Sequence, residues 1–520
     1  MLYLYIELVG DYLRTLNSIK NALGNFANSL VLNLLRFVSR IIFVKVLSDV
    51  YLGVNGLLSN VLGILALAEL GIGTAINYSL YKPLADNDEE KCKSLMKFYK
   101  IAYRIIALVV LVLGLILLPF LPWFIKDTSG IENLNIIYLI FLANMVIGYL
   151  FSYKRTLITA DQKNYKITPY LIFSNFVMTI GQIIILLIFK NYLLYLLVQT
   201  ACVFLENILV NNYINKCYPY LKKINSADKL DSSELKEIKT NIKALMFHKV
   251  GSYVLSATDN IVISKFIGIV TVGIYSNYVL IHSTISNFIY TFVSNVTASF
   301  GNLIAEGDKR KRFAVYKEMD FITYCLYGVS AVCLLFTINP FIELVFGSKY
   351  VLPFIVVLLI MVNYYLVGIN QVPIIIQSAA GVYKYDKFVP IIEAIVNLTV
   401  SVVLASHIGI SGVLIGTFVS YLLPVIIKPV VVFKYVLEKD ISIYFKTFFK
   451  QLFALIISSV LVFLIVNNIH ASVLWQVVIN FILSLAIPTL FIIGCFRKSD
   501  EYKDAKKRFI YLFNKVRKRA

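Results

Sequence analysis

Charge is scarce in this sequence, and acid is scarcer than base. Only 15% of its 520 residues are charged, with 29 Asp and Glu against 49 Lys and Arg. A chain that is 59% hydrophobic, with a mean hydropathy of +0.79, carries more apolar surface than a soluble core needs. It reads as a polytopic membrane protein. Its four histidines (His248, His282, His407 and His470) stand apart, which argues against a metal site. The six cysteines (Cys92, Cys202, Cys217, Cys325, Cys333 and Cys495) include no C-x-x-C pair, which argues against a disulfide or metal framework. No phosphate loop, nucleophile elbow or H-E-x-x-H motif occurs, so neither an ATPase nor a hydrolase of those types is expected, and no cofactor. The net charge of +20 lies in short segments between apolar runs rather than on one face. That pattern is a topology signal, not a nucleic-acid footprint.

The chain opens with "MLYLYIELVGDYLRTLNSIK", which lacks a basic stretch ahead of an apolar core. We read it as an interfacial segment rather than a cleavable signal peptide. Apolar runs of roughly 18 to 27 residues then predict about fourteen transmembrane helices. The expected spans are 22–47, 51–79, 98–123, 135–153, 168–189, 192–214, 246–268, 271–300, 318–346, 351–379, 389–406, 411–433, 450–467 and 473–496. With the N-terminus cytoplasmic, the loops on one side carry about forty of the basic residues, and the other side holds only Lys126, Lys190, Lys265 and Lys349. Both ends are therefore expected in the cytoplasm, and no large extracellular catalytic loop exists.

A repeat runs through this pattern. "IIFVKVLSDVYLGVNGL" (41–57) lies over "IVISKFIGIVTVGIYSN" (261–277), matching Lys45 with Lys265 and Gly53 with Gly273 at an offset of 220 (265 − 45). Within one residue the same offset pairs Pro119-Phe120 with Pro340-Phe341, Ala160 with Ala380, and Pro169 with Pro390. The expected organisation is an N-terminal segment (1–21), an N-lobe of six helices (22–214), a linker (215–245) and a C-lobe of six helices (246–436). Two trailing helices (437–496) and a basic tail (497–520) follow. Six helices is an even number, so the fold class is all-α, with lobes related by a pseudo-two-fold along the membrane normal. That is the layout of an alternating-access transporter with its substrate between the halves.

The charges at membrane depth are the candidate site. Arg36 and Arg40 share one face of the first helix, roughly 21 and 27 Å from residue 22 at 1.5 Å per residue. A lone Arg at bilayer centre costs roughly 2.5 to 3.5 kcal/mol, so both should face protein or water. A cationic wall for an anion is one reading, since the guanidinium fork matches phosphate. A salt bridge to Glu69 or Asp259 is the plainer one, and a carboxylate displaced by substrate reconciles the two. Glu206 is mid-helix, a candidate for ion coupling or an amide-held structural carboxylate. Lys249 is placed to meet phosphate at the cytoplasmic mouth or to anchor its helix. Arg104, Arg155, Glu393 and Lys428 read as side chains reaching for the interface.

Several longer stretches carry a resemblance: "LALAELGIGTAINYSLYKPLADNDEEKCKSLMKFYKIAYRII", "YLFSYKRTLITADQKNYK", "ATDNIVISKFIGIVTVGIYSNY", "ASFGNL" and "EAIVNLTVSVVLASHIGISGVLIGTFVS". The chain resembles the Wzx-like oligosaccharide flippases of the multidrug/oligosaccharidyl-lipid/polysaccharide exporter superfamily, in the branch found in Gram-positive bacteria. The resemblance implies a cargo of short oligosaccharide on undecaprenyl pyrophosphate, moved from the inner to the outer leaflet of the plasma membrane for capsule, exopolysaccharide or wall glycopolymer. It implies that the cationic cavity falls on Arg36, Arg40 and Lys249, with membrane lipids, a polymerase and glycosyltransferases as partners. The rival readings are a small-molecule or drug exporter, a lipid II flippase, and a membrane polymerase or ligase. The last is disfavoured because the longest outer segment, "FIKDTSGIENLN", holds only Asp127 and Glu132 as acids.

Overall fold

The computed structural model describes residue 24 and residues 31–69, 72–127, 130–226, 230–231, 234–236, 238, 258–294, 297–469 and 471–517. Among these the chain is helical throughout its ordered elements, with no strand. It divides into two compact units, Met1–Gly273 and Ile274–Ala520.

Unit 1 begins with α1 (31–46). Then come α2 (Asp49–Leu65), α3 (Ile72–Ala85), α4 (Glu89–Leu117), α5 (Leu134–Ala160), α6 (Thr168–Phe189) and α7 (Tyr192–Cys217). Helix α8 (Ile269–Ser294) starts in unit 1 and runs into unit 2. Unit 2 continues with α9 (Thr297–Glu306), α10 (Lys309–Phe346), α11 (Phe354–Ile369), α12 (Gln371–Ala380), α13 (Val389–Ile408) and α14 (Ile410–Val432). It closes with α15 (Ser442–Val466), α16 (Val473–Phe496) and α17 (Asp500–Arg517).

The repeat is visible element by element. Asp88 and Asp308, 220 apart (308 − 88), each cap the helix that follows, accepting from Lys91 N at 2.9 Å and from Arg310 N and Lys311 N at 3.0 Å. Ala160 and Ala380 are each the last residue of a helix, followed by a 3-10 turn, Asn164–Lys166 or Tyr383–Tyr385. The next helix in each copy then carries proline in its first turn, Pro169 in α6 and Pro390 in α13, where the missing N–H costs nothing. The copies differ at the other proline pair: Pro119 sits in a 3-10 segment, Leu118–Phe124, whereas Pro340 is absorbed inside α10.

Eleven helices among the described residues are long and apolar enough to cross a membrane. Of the expected spans, 22–30 (apart from residue 24) and 246–257 lie outside the described residues, and 271–300 corresponds to the 26-residue α8. The span expected at 51–79 is not one helix: it divides into α2, a 3-10 turn at Ala66–Glu69, and α3. Likewise 351–379 is broken at Asn370 into α11 and α12.

Burial is inverted relative to a soluble protein. On α6, Phe173, Phe176, Val177, Ile180, Ile184 and Leu187 are exposed at helical spacing, while Ser174, Thr179 and Gln182 are buried. Lipid solvates the apolar face, and the small polar residues hold the helices together. The basic tail forms α17 and docks on α10: Arg508 makes a two-pronged pair with Glu318 (Nη2 to Oε2, 2.8 Å), and Lys317 meets Glu501 at 3.5 Å.

Candidate functional site

On α1 the two arginines that periodicity puts on one face differ in burial. Arg36 is exposed on unit 1, whereas Arg40 is half-buried. Arg40 lies within electrostatic reach of Tyr192 and Tyr195, from the first turn of α7. Phe43, one turn further on, is buried edge-on against both tyrosines, with ring centroids 5.7 and 5.3 Å away, and Tyr51 packs on Tyr192 at 4.7 Å. The guanidinium thus stands beside a box of aromatic rings that keeps its charge partly out of water.

Glu69 ends the 3-10 turn after α2 and accepts a hydrogen bond from Tyr103 Oη at 2.7 Å. Tyr103 packs edge-on against Tyr99 at 4.4 Å, and Tyr99 Oη bonds Thr156 Oγ1 at 2.9 Å, linking α4 to α5. Gly73 makes room for this arrangement, because a Cβ there would stand 2.7 Å from Glu69 Oε1. A tyrosine hydroxyl, rather than an arginine, therefore meets this carboxylate among the described residues.

Glu206 of α7 pairs with Arg155 of α5, Oε1 to Nη2 at 2.7 Å, and the same nitrogen donates to Asn207 Oδ1 at 3.0 Å. Arg155 is thus held by an interhelical ion pair rather than reaching for the interface. Asp259 is half-buried in the helical stretch 258–262, and Lys249 lies outside the described residues. In unit 2, Lys428 is similarly claimed from within: it pairs with Asp386 at 2.8 Å, whose side chain is fully inaccessible, and reaches Gln377 Oε1 at 3.3 Å. None of these pairings is readable from spacing, because each joins helices far apart in the chain.

Alongside these sites lies an internal contact at the two glycines that the repeat pairs. A Cβ on Gly53 would fall 1.8 Å from Ile269 O, and one on Gly273 would fall 3.0 Å from Asp49 O and from Gly53 N. Helix α2 and the start of α8 touch backbone to backbone, as small residues permit in membranes.

Eleven long apolar helices among the described residues, with exposed apolar faces and few buried charges, define a multi-pass membrane protein. The model of the family "Polysaccharide biosynthesis protein" matches residues 18–298, and the chain belongs to that family. Among curated proteins none matches in sequence. Solved structures give the fold. The lipid II flippase MurJ, in an inward closed conformation, is similar at TM-score 0.65 and 14% identity, over 92% of this chain and 99% of that one. An inward-facing multidrug-resistance MATE transporter of the MOP superfamily is similar at TM-score 0.60 and 15% identity, over 78% and 96%. A mutant of the Vibrio cholerae MATE transporter VcmN is similar at 0.55 and 14%, over 82% and 99%. The chain thus has the fold of the MOP superfamily.

Proposed function

We propose that this protein is a flippase that carries an undecaprenyl-pyrophosphate-linked oligosaccharide from the cytoplasmic to the outer leaflet of the plasma membrane by alternating access. Membership of the polysaccharide biosynthesis family carries the reading, and the transporter fold supports it. A diphosphate and several sugars cannot enter hydrocarbon unaided, whereas the lipid tail can stay there. In this reading Arg36, Arg40 and Lys249 meet the diphosphate, while Glu69, Asp259 and Glu206 supply counter-charge or ion coupling. Unit 2 also holds an almost wholly apolar cavity of about 490 Å³, lined by residues such as Ile289, Phe321, Leu326, Val329 and Phe481, with the chemistry to take part of an isoprenoid tail. Both termini lie in the cytoplasm, on the side of the basic loops.

The test is genetic. Cells lacking the protein are expected to accumulate complete lipid-linked repeat units on the inner leaflet, and Arg36→Ala with Arg40→Ala should reproduce that defect at normal protein levels. Full polymer synthesis by the double variant would remove the arginines from the mechanism. An unchanged leaflet distribution in the deletion would favour a small-molecule exporter. Lethal depletion with lipid II trapped inside would name lipid II as the cargo.

A further inference from the structure

Three cations of unit 1, Lys100 and Arg104 of α4 and Lys154 of α5, come together. Lys100 and Arg104 stand one turn apart on α4, within electrostatic reach of each other, and Lys154 of α5 comes within reach of Lys100. Arg104 is also within electrostatic reach of Tyr153. What holds these groups is mostly neutral. Lys100 Nζ donates to Asn225 Oδ1 at 2.9 Å, and Lys154 Nζ to Asn215 Oδ1 at 3.0 Å. Amide oxygens aim an ammonium without cancelling its charge. Among the described residues none of these three cations is ion-paired, and Lys100 and Lys154 are half-buried with Arg104 exposed. The nearby carboxylate of Glu69 is engaged by Tyr103.

Like charges gathered on neighbouring helices repel, and partial burial reduces the screening that would relieve them. Anchors that serve topology alone have no need to converge, since each can extend separately into water. A shared anion relieves the repulsion. Lys154 is six residues from the C-terminal end of α5, about 9 Å at 1.5 Å per residue.

We infer that Lys100, Arg104 and Lys154 form a binding site for the phosphate ester of a lipid headgroup at the basic end of unit 1. On the flippase reading, on which this use rests, the site receives the cargo's diphosphate before translocation; a bulk anionic lipid offers the same chemistry. Arg104 presents its fork to two phosphate oxygens, and the two lysines act as aimed point charges.

The experiment uses the purified full chain in uncharged detergent, with undecaprenyl diphosphate, phosphatidylglycerol and undecaprenol as separate probes and binding read by native mass spectrometry. Undecaprenyl diphosphate is expected to bind and undecaprenol not. Lys100→Gln with Lys154→Gln should weaken binding about tenfold or more, and Lys100→Arg with Lys154→Arg should restore it. Preference for undecaprenyl diphosphate over phosphatidylglycerol assigns the site to the cargo, and equal binding assigns it to bulk lipid. Unchanged binding in the Gln variant, or equal binding of undecaprenol, overturns the site. Should that variant fail to fold, Arg104→Gln, at an exposed position, is read by the same criterion. Absence of flipping by the wild type removes the flippase reading and leaves this binding result standing. Normal flipping with unchanged binding in the variant removes the site alone.

Discussion

Replacing Gly53 by alanine should destabilise this protein far more than the same change at Gly273, although the repeat makes the two positions equivalent. The Gly53 Cβ would fall 1.8 Å from Ile269 O and 2.7 Å from Ile269 C. Carbon does not approach backbone atoms closer than about 3.0 Å, so α2 and the start of α8 must part by at least 1.2 Å (3.0 − 1.8) at that point. No side chain can turn aside, because the obstacle is main chain. Overpacking of this kind costs about 1–3 kcal/mol and sometimes more. At Gly273 the added atom meets Asp49 O and Gly53 N at 3.0 Å, a contact that a shift of a few tenths of an ångström relieves. The assay is thermal unfolding of the purified chain followed by a thiol-reactive dye, since Cys92 and Cys333 are buried. Gly53→Ala should melt clearly below wild type, and Gly273→Ala close to it. Equal melting of Gly53→Ala and wild type would refute the backbone contact.

Three other outcomes follow from the geometry. Asp386→Asn removes the ion-pair partner of Lys428, 14% exposed, with the buried Glu393 still in electrostatic reach, and should cost up to about 3–5 kcal/mol, while adding Lys428→Met should recover much of that loss in the same unfolding assay. Arg508→Ala should loosen α17 from α10 by about 1 kcal/mol, read as faster tryptic cleavage of the tail with the rest of the chain intact. Gly73→Ala should push the Glu69 carboxylate off Tyr103; if Glu69 couples transport to an ion, the pH or sodium dependence of transport shifts, and an unchanged dependence removes it from coupling.

The large-scale architecture was legible because its signals are local or periodic. Apolar run lengths mark spans, and Asp88, Asp308, Pro169 and Pro390 punctuate helices through their own backbone chemistry. The 220-residue offset needed only order along the chain. Breaks inside apolar runs were not legible: the 3-10 turn that ends at Glu69 and the break at Asn370 interrupt helices where hydropathy stays high. The site was legible as a set of costly charges but not in its pairings. Spacing placed Arg36 and Arg40 together, yet the rings of Phe43, Tyr192 and Tyr195 cover one side of the helix and leave Arg36 exposed. Arg104 and Arg155 read as interface-seeking side chains, because nothing in one helix reveals that α5 brings Lys154 within reach of Lys100, one turn from Arg104, or that α7 offers Glu206 to Arg155.

The most direct test of the central claim is transbilayer movement in vitro. Purified protein is placed in liposomes loaded with the lipid-linked oligosaccharide from cells that lack it, and the exposed fraction is read with a membrane-impermeant glycosidase. The account predicts that the protein makes the inner-leaflet pool accessible, and that Arg36→Ala with Arg40→Ala does not. A pool that stays half-protected with active, folded protein present would contradict it.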